Sequence, residues 1–179
     1  MPKRHPLIDA HELVPNLWQG SRPPEGDTLS EGGFRVLVLC AEEIQPPASS
    51  FPGLTVLRAP NDDDFVLPVS RAILQKALQT ARQVAKHVQQ GHQCLVTCAA
   101  GMNRSGLVSA LTLHTLNGWS GEQCSRWIRK HRKSLDGYIP LSNPQFNVVL
   151  RRLSAVQAQT PEVKDDWKQL PSGLFVAKS

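Results

Sequence analysis

One amphipathic segment, from about Val69 to Gln90, constrains the fold more than any other stretch of this chain. Ile73, Leu74, Ala77, Leu78, Ala81, Val84, Ala85 and Val88 recur in it at helical spacing, and Gly91 ends it. A short apolar run lies on each side, Thr55-Val-Leu-Arg-Ala59 before it and Cys94-Leu-Val-Thr97 after it. Strand, helix and strand in that order cannot form a hairpin; they predict a parallel pair joined by a right-handed crossover. Val36-Leu-Val-Leu-Cys40 is apolar at every position, as in a strand covered on both faces. Leu17-Trp18-Gln19 reads as another short strand, ahead of the breakers between Gly20 and Gly26.

Helices dominate after Thr97. One runs from Ser105 to Leu116 and stops at Asn117-Gly118. Ser120-Gly-Glu-Gln123 has capping-box spacing for a second helix to about Lys133. Asn143-Pro144 opens a third through Leu153, with proline in its first turn. The expected fold is α/β: a central, mostly parallel, twisted sheet flanked by helices, in one compact domain over residues 10–157. Residues 158–179 form a separate C-terminal tail, polar apart from Trp167, Leu174 and Phe175.

Composition narrows the classes. At 179 residues the chain can bury a sufficient core without a disulfide or metal. Its 40% hydrophobic and 20% charged residues argue against disorder. No apolar run reaches transmembrane length, and residues 1–9 lack the apolar core of a signal peptide. Cys40, Cys94, Cys98 and Cys124 show no secreted framework and suit a reducing cytosol, so a cytoplasmic location is expected. His92-Gln-Cys94 and Cys94-x3-Cys98 come nearest to a metal motif, but CxxC and HxxxH pairs are missing; neither metal nor cofactor is expected. The net charge of +5 favours an anionic partner. The basic run Arg126, Arg129, Lys130, Arg132, Lys133, with Arg151 and Arg152, reads as a solvated helix face. Trp18, Trp119 and Trp127 read as core, and the chain as a monomer.

The chemistry is concentrated in Val96-Thr97-Cys98-Ala99-Ala100-Gly101-Met102-Asn103-Arg104-Ser105-Gly106. A cysteine at the carboxyl end of a buried strand, facing loop amides and a helix start, sits where anions bind and thiolate is favoured over thiol. Small residues let the backbone of Ala99, Ala100, Gly101, Met102 and Asn103 wrap a phosphate. Arg104 closes the loop and can hold two phosphate oxygens. Ser105 can donate to the sulfur.

Cys98, Gly101, Arg104 and Ser105 match the C-x5-R-[ST] pattern of the cysteine-dependent protein phosphatases, which this sequence therefore resembles. Over residues 10–155 it looks like the compact dual-specificity branch. Val14-Pro15-Asn16-Leu17-Trp18-Gln19-Gly20 is similar to that branch's entry strand, and Asn143-Pro144-Gln145-Phe146 to the start of its last helix. The resemblance implies metal-independent hydrolysis of phosphoprotein monoesters through a cysteinyl-phosphate. It also implies a shallow site open to phosphotyrosine, phosphoserine and phosphothreonine.

The family keeps its general-acid aspartate where this chain has Asn61-Asp62-Asp63-Asp64. Asp62 is the first candidate and Asp63 the alternative, with Asp64 nearer the helix; as plain loop residues the three would cap that helix. The family's usual histidine before the cysteine is Thr97 here. Its loss either weakens the nucleophile or is replaced by a hydrogen bond from Thr97. Three other readings follow. Asn103-Arg104 looks like the loop of RNA 5′-triphosphatases, but no basic stretch with interleaved aromatics supports RNA. A phosphate-binding module impaired at Thr97 is the second. The third is a redox role, with Cys40, Cys94 or Cys124 resolving an oxidised Cys98.

Overall fold

The computed structural model describes residues 3–132 and 137–155, with the backbone of 167–169 and 175–177. The chain runs β1 (Ala10–Val14), β2 (Leu17–Gly20), α1 (Thr28–Glu31), β3 (Phe34–Ala41), β4 (Thr55–Asn61), α2 (Arg71–Gln89), β5 (Gln93–Thr97), α3 (Arg104–Asn117), α4 (Gly121–His131) and α5 (Pro144–Arg151). Of the expected tail, only β6 (Trp167–Gln169) and β7 (Phe175–Ala177) are described, as an antiparallel pair.

Five strands form one sheet in the order β1-β2-β5-β3-β4. β1 and β2 are antiparallel, and every other neighbouring pair is parallel. This is the expected mostly parallel α/β sheet, with two differences. The strands either side of α2 do not pair with each other, because β3 lies between β4 and β5 and bonds to both. β1 was not anticipated; it turns into β2 through Pro15 and Asn16, and Asn16 takes φ 70°.

The unbroken apolar run of β3 feeds two cores. Val36, Val38 and Cys40 join the core under the helices, while Leu37 and Leu39 join the smaller core of Trp18, Phe34, Phe51 and Leu95 on the other face. That alternation is the two-residue period of a strand covered on both sides.

The helices start where their caps dictate. Ser70 Oγ accepts from Ile73 N at 3.2 Å to begin α2. Ser120 and Gln123 form the expected reciprocal box at the start of α4. Asn143 Oδ1 accepts from Gln145 N at 2.8 Å, with Pro144 in the first turn of α5. α4 and α5 cross closely at Gly121, where a Cβ would fall 1.9 Å from Leu150 O. α3 is buried nearly all round, from Arg104 through Leu113, so its amino end is held rigidly below the sheet's carboxyl edge. Among the described residues, no helix is long and apolar enough to cross a membrane.

Candidate active site

Cys98 follows β5, at the sheet's centre, and the chain turns through residues 99–103 before entering α3. Donors outside the turn bind three successive carbonyls. Arg22 N donates to Ala99 O at 3.1 Å, Arg132 Nη2 to Ala100 O at 3.3 Å, and both Gln19 Nε2 (2.9 Å) and Arg132 Nε (3.0 Å) to Gly101 O. In a trans peptide the amide points away from the preceding carbonyl, so these contacts turn the amides of Ala100, Gly101 and Met102 inward. Among the described residues, none of the amides of 99–103 donates to a protein acceptor. Gly101 is required for this shape: its φ is +71°, and a Cβ there would lie 2.4 Å from Gly20 C.

Two side chains complete the cradle. Ser105 Oγ lies 3.3 Å from Cys98 Sγ. Arg104 is buried, and its Nη1 donates to Glu43 Oε2 in an ion pair. Its Nε is buried with no partner. Burial works against the guanidinium charge, but Glu43, Cys98 and Asp63 outweigh it and raise the Arg104 pKa. The hydrogen bond from Arg104 in turn lowers that of Glu43.

The acidic trio divides into three environments. Asp63 accepts at both oxygens, from Asn103 Nδ2 at 3.1 Å and from Asn143 Nδ2 at 2.8 Å. Asp64 Oδ1 accepts from Val66 N (2.6 Å) and Leu67 N (2.8 Å), which lower its pKa and disfavour the protonated form. Asp62 is exposed and, among the described residues, has no hydrogen bond or ion pair. None of the three caps α2, a role taken by Ser70. Asn103 links these parts, because its Oδ1 also accepts from Ser142 N, Ser142 Oγ and Asn143 N.

Thr97 does not stand in for the missing histidine. Its hydroxyl donates to Val38 O at 2.7 Å, tying β5 to β3. Of the other cysteines, Cys40 lines a small crevice with Cys98, and burial pushes its thiol well above the usual range. Burial likewise pushes Cys94 and Cys124 up to about 12. The described residues include no cluster of three or more His, Cys, Asp or Glu able to hold a metal ion.

The basic run needs one correction. Arg126, Arg129 and Lys130 are exposed as expected, but Arg132 is wholly buried. It donates to both oxygens of Asp9 and to His11 Nδ1 as well as to the loop carbonyls, and these acceptors make its burial tolerable. Lys133 lies outside the described residues. Arg132, Gln19, Glu43 and Asn143 were all missed as site residues from sequence. Only Asn143 had a local signal, and that signal marked a helix start.

A model of the tyrosine phosphatase family matches residues 43–122. No curated protein matches the chain. Among solved structures, human DUSP28 is 26% identical at TM-score 0.65, covering 85% of this chain and 95% of its own. DUSP15 is 22% identical at TM-score 0.64, over 80% of this chain and 86% of its own, and so supports the fold. PTPMT1, solved in complex with PI(5)P, has the same identity and TM-score over 80% and 93%. With its Cys98-to-Arg104 loop on this sheet, the chain is similar to the tyrosine phosphatase family over residues 43–122 and has the fold of the dual-specificity phosphatases.

Proposed function

We propose that this chain hydrolyses phosphate monoesters on phosphoproteins, phosphotyrosine first and also phosphoserine and phosphothreonine, without a metal. The observation that carries this reading is the set of unpartnered donors around Cys98. Among the described residues the amides of 99–103 and Arg104 Nε have no protein acceptor, and together they suit the equatorial oxygens of a phosphoryl group.

In the first step Cys98 thiolate attacks phosphorus, forming an S–P bond as the ester P–O bond breaks. Asp62 gives its proton to the departing oxygen. Asp62 suits this role better than its neighbours because Asp63 is bonded at both oxygens and Asp64 is held ionised. In the second step water attacks phosphorus and loses a proton to Asp62. The S–P bond breaks, inorganic phosphate leaves, and Ser105 donates to the returning thiolate. Arg104 acts throughout as a fixed charge, with Glu43 orienting its Nη1 side.

The test is turnover of an aryl phosphate and a phosphotyrosyl peptide in excess EDTA, for wild type and Cys98→Ser. The reading expects metal-independent turnover that the substitution abolishes. Turnover retained by Cys98→Ser, or lost on chelation, contradicts it.

A further inference from the structure

Seven large apolar side chains are exposed among the described residues, and five of them sit on two segments that flank the phosphate loop. Phe65, Val66 and Leu67 are 50%, 79% and 65% exposed and follow the aspartate trio directly. Tyr138 and Ile139 are 66% and 63% exposed and precede the contacts to Met102 and Asn103. Single exposed apolar residues are ordinary, but this grouping is not scattered.

Both segments are fastened at the amino end of α5. Gln145 Nε2 donates to Phe65 O and Val66 O, each at 3.2 Å, and Asn143 Nδ2 to Asp64 O at 3.0 Å. On the other side, Leu141 N donates to Met102 O at 3.3 Å and Ser142 N to Asn103 Oδ1 at 2.9 Å. The Asp64 turn keeps Val66 and Leu67 outward instead of letting them collapse onto the core. A crevice of about 220 Å³ opens beside them, lined by Leu67, Pro68, Val69, Ile73 and Phe146 together with Asp62, Asp64 and Ser70. It has the apolar lining and sparse polar groups of a side-chain pocket.

Charge selects among occupants. Asp62 and Asp64 line the crevice, Asp63 bonds Asn103 of the loop and Glu43 pairs with Arg104, while the loop contains no lysine. A polyanion, whether an inositol phosphate headgroup, an anionic membrane or a triphosphorylated RNA end, meets like charge there. A peptide with a single phosphate brings the least such charge.

We propose that these two segments form a docking surface for a phosphopeptide with large aliphatic or aromatic residues beside the phosphorylated one. One of those side chains enters the crevice at Asp62, and others lie on Val66, Leu67, Tyr138 and Ile139. The proposal rests on the phosphatase reading for the position of the phosphate and deepens it by naming the substrate class.

The test uses two phosphotyrosyl peptides that differ only in leucine and phenylalanine, or serine, at the flanking positions. Vesicles containing a phosphatidylinositol monophosphate form a third arm. kcat/KM for each is normalised to an aryl phosphate, for wild type, Val66→Ser/Leu67→Ser and Tyr138→Ser/Ile139→Ser, each confirmed to melt as wild type does. The apolar-flanked peptide is expected to be favoured by about tenfold or more. Each double variant should erase much of that preference. Equal values for the two peptides, or a preference that survives both variants, overturns the proposal. So does vesicle turnover that exceeds peptide turnover and falls in the variants. Binding of the same peptides to Cys98→Ser protein, followed by fluorescence anisotropy, reads the flank preference separately. If no phosphate is turned over, the phosphatase reading fails, while equal or unequal binding still decides the docking surface.

Discussion

Arg132 donates to both carboxylate oxygens of Asp9, at 2.8 and 2.7 Å, and the same guanidinium holds the carbonyls of Ala100 and Gly101. The amino end of the chain is thereby connected to the phosphate loop through one wholly buried charge. Removing Arg132 leaves two loop carbonyls without their donor and a partly exposed Asp9 without its partner, so Arg132→Ala should lower unfolding free energy by about 2–4 kcal/mol in urea titrations.

The same pair predicts a pH dependence. The Arg132 hydrogen bond lowers the folded-state pKa of Asp9. Its stabilisation is therefore complete above the unfolded carboxylate value of about 3.9 and is lost as pH falls through the lower folded value. The stability gap between wild type and Asp9→Asn should be constant near neutrality and shrink only below about pH 4. A gap that grows on acidification contradicts the assignment.

Gly101→Ala tests the loop's shape. The added Cβ would meet Gly20 C at 2.4 Å and Ser21 N at 2.6 Å, at a φ that L-residues seldom adopt. The loop must shift, and displacement of about an ångström costs on the order of 10²-fold in rate. Competitive inhibition by vanadate should weaken in parallel with turnover.

Asp62→Asn should reduce kcat on an alkyl phosphoester by about 10²–10⁴-fold, and by less on an aryl phosphate whose leaving group needs no proton. Asp63→Asn should instead lower the melting temperature, because it disturbs the contacts to Asn103 and Asn143. The reverse pattern would make Asp63 the acid.

Arg104→Lys keeps a positive charge but loses the planar fork. With Nη1 directed at Glu43, only the fork leaves Nε for the phosphate. A loss of about 10²–10³-fold in kcat is expected, as for removal of one transition-state donor.

The parts of this molecule that could be read from sequence are those encoded locally. β3 declared its two-sided burial in five consecutive apolar residues, and Ser120 with Gln123 declared the start of α4. The loop from Cys98 to Ser105 was readable as one turn between strand and helix because its cysteine, glycine and arginine are contiguous. β1 gave no clear signal: Ala10-His11-Glu12-Leu13-Val14 does not alternate, and its turn uses Pro15-Asn16. Glu43 and Arg132 were invisible for another reason. Each reaches its site from 61 residues before Arg104 or 31 after Gly101, where only the folded sheet and helices make them neighbours. Arg132 was further disguised by the exposed cations beside it.

The most direct test is a rapid denaturing quench, held alkaline, of the protein during turnover of a ³²P-labelled phosphotyrosyl peptide. A labelled protein is expected, with the phosphoryl group on sulfur, mapped to the peptide containing Cys98 and missing in Cys98→Ser. Turnover with no such label, or label retained in Cys98→Ser, would contradict the cysteinyl-phosphate mechanism.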